Sequence, residues 1–141
     1  MKYIITLFIV LFSMACTQVE MKTGKDVIVK IEEFRKKEKF VGGDFLYTGI
    51  EDEALKAITT EKINQVSQDF EEVAKNENPT EDLYLKKIEL GLERFSGIYL
   101  EFDTEDRERV CRYFEELMDI VGLESSNGQL NKFMYGFNLE E

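Results

Sequence analysis

No histidine occurs anywhere in the 141 residues. That removes the commonest general base, the commonest transition-metal ligand and the usual switch near neutral pH. Cysteine is almost as scarce, represented by Cys16 and Cys111 alone. If Cys16 is modified, Cys111 has no partner, no intramolecular disulfide forms, and stability must come from an apolar core. Pro79 is the one proline, and no proline- or glycine-rich stretch after residue 50 reads as a linker. Positive charge is in deficit, with 18 Lys and Arg against 29 Asp and Glu, a net of −11. That excess repels phosphate backbones and argues against a nucleic-acid partner. Several motifs are missing too. No Asp-x-Asp-x-Asn-Gly run precedes a Glu as in a calcium loop. There is no Gly-x-Ser-x-Gly, and Gly42-Gly43 lacks the Lys-Ser or Lys-Thr of a phosphate cradle. Carboxylate metal sites in helical bundles generally include Glu-x-x-His, which this chain cannot supply. No cofactor and no metal are expected.

What is present points to a folded helical protein. The apolar fraction is 43% and includes eleven Phe, far from the composition of a disordered chain. Val27, Ile31 and Phe34 place one apolar face on a helix over 25–39. A structured loop follows from Gly42 to Gly49. Residues 51–76 return to helical spacing, with Leu55 and Ile58 on a short face and Ile63, Val66, Phe70 and Val73 on a longer one. A bend or break is expected at Thr59 and Thr60, where Thr60 can cap a second segment, and Pro79 ends the element.

Leu85, Ile88, Leu92, Phe95, Tyr99 and Phe102 recur in steps of three and four, so residues 81–102 are expected to form one long helix capped by Thr80. A strand over Ile98–Phe102 is the competing reading. Gly91, Ser96 and Gly97 weaken the helix locally but let a neighbour pack close. Asp103 or Thr104 caps the next helix, whose core face is Val110, Phe114, Leu117 and Val121, and Gly122 stands where a helix-ending glycine belongs. Leu130, Phe133, Met134 and Phe137 indicate a short last helix. The expected fold is all-α: a compact bundle of about four main helices plus a short C-terminal one.

The first residues read differently. Met1 and Lys2 make a minimal positive start, Tyr3–Met14 is apolar apart from Thr6 and Ser13, and Ala15 is a small residue at a cleavage position. About a dozen residues falls short of the roughly 20 that span a bilayer. Ser13-Met14-Ala15-Cys16 resembles the lipobox of bacterial lipoproteins, in which cleavage before the Cys is coupled to its acylation. Ser13 departs from the aliphatic residue usual at that place, and an ordinary secretory signal cut nearby is the alternative. The resulting expectation is a signal peptide at 1–15, lipidation of Cys16, a tether over 16–24 and a single helical domain over 25–141. It carries a location with it: the cell envelope, lipid-anchored on the periplasmic or outer-membrane face or at the cell surface. Charge is divided accordingly. Residues 16–39 carry seven Lys or Arg against five acids, a net of +2, whereas residues 40–141 carry ten against 24, a net of −14. Only the anchor-proximal segment suits an anionic lipid surface.

Candidate sites are few. The charge run Glu101–Arg112 pairs Glu105 with Arg109, Glu108 with Arg112 and Arg112 with Glu116 at i, i+4, and reads as a solvated ladder rather than as an acid–base pair. Cys111 lies at the edge of a core face with no base to activate it. Aromatic residues of the 42–49 loop usually cap a core and less often form a contact surface. On the second reading, Phe45 and Tyr47, with Phe133, Tyr135 and Phe137 near the C-terminus, make a partner surface. The acidic body offers another, for a basic protein. Asp103-Thr-Glu-Asp-Arg-Glu-Arg-Val-Cys-Arg-Tyr-Phe-Glu-Glu-Leu-Met-Asp-Ile-Val-Gly-Leu-Glu-Ser-Ser-Asn-Gly128, continuing to Leu130-Asn131, resembles a family of small, often exported bacterial proteins of unknown function. That likeness spans about the last hundred residues and implies no activity and no functional residues. The functional expectation is a lipid-anchored, non-enzymatic protein-binding or inhibitor-like module. An envelope-assembly or structural accessory is the alternative, and a carboxylate-based enzyme comes third.

Overall fold

The computed structural model describes residues 19–43 and 46–136. Its elements are α1 (Lys25–Lys36), α2 (Glu53–Ala74), α3 (Glu81–Glu93), a 3-10 helix (Ser96–Glu101), α4 (Thr104–Val121) and α5 (Gln129–Tyr135). The architecture is the expected all-helical bundle, and the only bridge among the described residues joins Val41 to Gly49. Helix α2 packs between α1 and α3, α4 lies against α1 and α2, and α5 closes over α3 and α4.

Local chemistry accounts for most boundaries. Asp52 caps α2 by accepting from the Leu55 amide at 2.8 Å, and Thr80 caps α3 through the Leu83 amide at 3.4 Å. Asp103 and Asp106 form a reciprocal capping box at the start of α4. Helix α4 ends on left-handed Gly122 (φ 76°), with the Leu123 amide donating to Met118 O at 2.9 Å and Leu123 buried. That is the helix-ending geometry expected from the sequence.

Four expectations need correction. Helix α2 runs unbroken through Thr59 and Thr60. Thr59 is fully buried and its hydroxyl donates to Leu55 O at 2.6 Å, so it satisfies itself inside the helix instead of opening a new one. The inner stripe is then Thr59, Ile63, Val66, Phe70 and Val73, with Ile58 outside it and 45% exposed.

The seam over 81–102 is buried but is not one helix. After Glu93 the backbone tightens to i, i+3 bonding, with Phe95 N donating to Leu92 O at 3.0 Å and Ile98 N to Phe95 O at 3.1 Å. The tighter turns keep Phe95, Tyr99 and Phe102 on the core side. In α3 the inner positions are Tyr84, Ile88 and Leu92, and Leu85 is half-buried at the margin.

Helix α1 stops at Lys36 rather than residue 39. Lys39 turns back and its ammonium donates to Phe34 O at 2.8 Å, Lys37 O at 2.9 Å and Arg35 O at 3.3 Å, filling carbonyls that a helix end leaves open.

Residues 21–24 are not tether. Met21 belongs to the core, and the Lys22 amide donates to Val121 O at 2.9 Å.

Close packing at the centre depends on Gly91. A Cβ there would lie 2.8 Å from Val66 Cγ2 and 3.0 Å from the Phe114 ring, so α3 approaches α2 and α4 as the small-residue reading anticipated. Gly97 shows no such contact.

Candidate interaction surface

Helix α4 presents two contrasting faces. Val110, Phe114, Leu117 and Val121 are fully buried, as expected from their spacing. Glu105, Glu108, Arg112, Glu115 and Asp119 recur every three or four residues along the other side, and all are exposed. At about 1.5 Å per residue this outward stripe is roughly 21 Å long. Its one cation is engaged within the stripe, because Arg112 Nη2 donates to Glu108 Oε1 at 2.7 Å. Two neighbours take partners from other elements. Glu116 pairs with Lys37 near the end of α1, and the Arg109 guanidinium stacks over the Tyr47 ring, 4.5 Å from its centroid.

The groups best suited to covalent or proton chemistry are held in structural roles. Cys111 is buried, its thiol donates to Leu130 O at 3.6 Å, and burial pushes it up to about 12, with Glu115 and Glu108 adding to the shift. Lys39 is 1% exposed, and its ammonium donates to carbonyls in the last turn of α1 and at Lys37 just beyond it. Burial lowers it to about 8, opposed by Glu116. Asp106 accepts the Tyr47 hydroxyl at 3.0 Å. Burial raises the Asp106 carboxyl, while the bond from Tyr47 works the other way. Burial and that same bond raise the Tyr47 phenol. The Asp103–Asp106 spacing of a capping box was the sequence signal for Asp106, whereas nothing local marked Lys39.

The aromatic partner surface does not assemble as anticipated. Phe133 is fully buried, with its ring 5.2 Å from Tyr99 and 6.0 Å from Phe95. Tyr47 is also buried, drawn in by Asp106 and covered by Arg109. Neither side chain is available to a partner without unfolding its surroundings. Tyr135 is 87% exposed. Phe45, Phe137, Cys16 and the leader at 1–15 lie outside the described residues. Leu46, between Phe45 and Tyr47 in the loop, is 76% exposed, and Leu100 is 82% exposed. Among the described residues, no helix is long and apolar enough to cross a membrane.

The family model of a domain of unknown function, DUF4844, matches residues 22–138. The chain belongs to this family. The match begins one residue after Met21 enters the core and takes in every helix described above. A solved structure, that of a DUF3571 family protein from Acinetobacter baumannii AYE, is 39% identical to this DUF4844 chain. The similarity covers 78% of this chain and 89% of the other, with a TM-score of 0.73. No curated protein matches the chain. Neither family description names an activity, and no catalytic family is indicated.

Proposed function

We propose that this DUF4844 protein is a lipid-anchored, non-enzymatic binding module of the cell envelope that captures a basic protein through its acidic surface. The observation that carries the reading is the outward stripe of α4, where Glu105, Glu108, Glu115 and Asp119 stand exposed with Arg112 as their one cation, already paired to Glu108. Such a surface attracts a cationic patch and accelerates encounter. The Cys111 thiol and the Lys39 ammonium are tied into the fold, which leaves surface charge as the chemistry the body presents. The anchor reading rests on the Ser13–Cys16 motif, followed five residues later by Met21, already in the core.

The test uses the described domain as bait in envelope extract. Capture of a basic protein is expected to disappear between about 50 and 500 mM salt, because the Debye length falls to a few ångströms. It should also disappear when Glu105, Glu108, Glu115 and Asp119 are changed together to Gln or Asn. Capture indifferent to both changes overturns the reading. Metabolic acyl labelling lost in Cys16→Ser supports the anchor, and labelling unchanged by that substitution refutes it. The envelope-assembly alternative draws on Leu100 and Tyr135, both more than four-fifths exposed. Docking there would survive high salt and fail in Leu100→Ser with Tyr135→Ser.

A further inference from the structure

Two concavities flank the segment by which the chain enters the fold. On one side, a cleft of about 650 Å³ separates that segment from the α2–α3 connection and is lined by the carboxylates of Glu20, Glu77, Glu81 and Asp82. On the other, a shallow depression of about 430 Å³ lies between the start of α1 and the end of α2. Its apolar surface comes from Ile28, Val29 and Ala74, and Lys25 and Lys75 edge it. Val29 is 49% exposed although it sits in the middle of α1. On α1, Lys25 and Lys30 are exposed, as are Asp26, Glu32 and Glu33, and Lys75 is paired with Glu71. The Lys22 ammonium turns instead to Asp119 O at the end of α4, at 3.1 Å.

We infer that this lysine-edged apolar depression is the face that rests on an anionic bilayer surface, so that the anchored domain leans to its α1–α2 side. The inference rests on the anchored reading above. It uses the length of chain between anchor and fold. Four residues lie between Cys16 and Met21, and at roughly 3.3–3.6 Å for each of the five steps the chain reaches about 18 Å at most. The pole where α1 begins and α2 ends is therefore held at the headgroups.

Charge then decides the tilt. Residues 40–141 carry ten basic against 24 acidic side chains, so most of the surface is repelled by anionic lipid. Leaning to the α1–α2 side presents Lys25, Lys30 and Lys36 beside Asp26, Glu32 and Glu33, a balanced set, and lets Val29 meet the interface. Leaning the other way would press Glu20, Glu77, Glu81 and Asp82 onto like charge. The observed placement favours the first orientation on both counts.

The test takes the full-length acylated protein in vesicles of phosphatidylethanolamine and phosphatidylglycerol. A fluorophore is attached through Val29→Cys in one sample and Asn78→Cys in another. Asn78 is exposed at the same pole and lines the acidic cleft on the opposite side. Buried Cys111 and acylated Cys16 do not compete for the label. A lipid-borne quencher is expected to quench the label at 29 several-fold more than the label at 78. Lys25→Glu with Lys30→Glu should erase the difference. Equal quenching at the two positions, or stronger quenching at 78, overturns the orientation. Flotation separates the two ideas: protein that floats with vesicles but shows no difference refutes the lean alone. Protein that fails to float refutes the anchor and the lean with it.

Discussion

The ammonium of Lys39 donates to the carbonyl oxygen of Phe34 at 2.8 Å and lies 4.6 Å from the centre of that residue's ring. One side chain thus closes α1 and packs on its last buried aromatic. A buried cation bound only to carbonyls stabilises the helix end but pays in desolvation. Lys39→Met should lower stability by about 1–3 kcal/mol, the usual cost of leaving buried acceptors unmade. The loss is measured by urea unfolding at neutral pH.

The same group sets a pH dependence. Its folded value is lowered to about 8 from an ordinary 10.5, chiefly by burial. Between those two values the unfolded chain holds a proton that the native protein has released, so this group's contribution makes stability rise with pH. The stability difference between wild type and Lys39→Met should grow in favour of wild type from pH 8 to 10.5. A flat difference would show that burial leaves this ammonium unperturbed.

Two buried hydroxyls should respond in opposite ways. Tyr84 is fully buried, its hydroxyl has no hydrogen-bond partner among the described residues, and burial pushes the phenol up to about 12. Tyr84→Phe should therefore leave the unfolding midpoint unchanged or raise stability by up to about 1 kcal/mol. Tyr99 instead donates to Phe133 O at 2.7 Å. Tyr99→Phe removes that buried bond and should cost about 1 kcal/mol.

Gly91 and Gly97 provide a second matched pair. Alanine is the better helix former by about 1 kcal/mol, yet at 91 its methyl would meet stiff Val66 and the Phe114 ring at 3.0 Å or less. Crowding should win, with Gly91→Ala destabilising by about 1–3 kcal/mol. Nothing lies within 4 Å of a Cβ at 97, so Gly97→Ala should stabilise by about 0.4–1 kcal/mol. Thermal melts of the two variants should move apart.

Cys111 should label slowly. With its thiol raised to about 12 and held against Leu130 O, iodoacetamide should react only as fast as the native state opens. Strengthening the fold, for instance through Gly97→Ala, should slow the reaction further. A rate equal to that of a free thiol would place Cys111 at the surface.

Much of the architecture is written in short-range pattern. The inner face of α4 follows from Val110, Phe114, Leu117 and Val121, and its ends from Asp103 and Gly122. Caps, stops and stripes of this kind act within one or two turns, so neighbouring residues suffice to specify them. The seam from Ile88 to Phe102 was likewise legible as buried, although its change of helical type was not. The tighter turns set Phe95 and Tyr99 against Phe133, a partner that lies outside any local window.

The candidate surface divides along the same line. Sequence alone placed the acidic residues of α4 on an outward face, because a helix with one apolar stripe must turn its charges to water. Only tertiary structure decided that Tyr47 and Phe133 belong to the interior and Tyr135 to the exterior. Tyr47 is drawn in by Asp106, 59 residues away, and Phe133 accepts from Tyr99, 34 residues away. An aromatic side chain is equally at home in a core or at an interface, so its position is chosen by partners that periodicity cannot see.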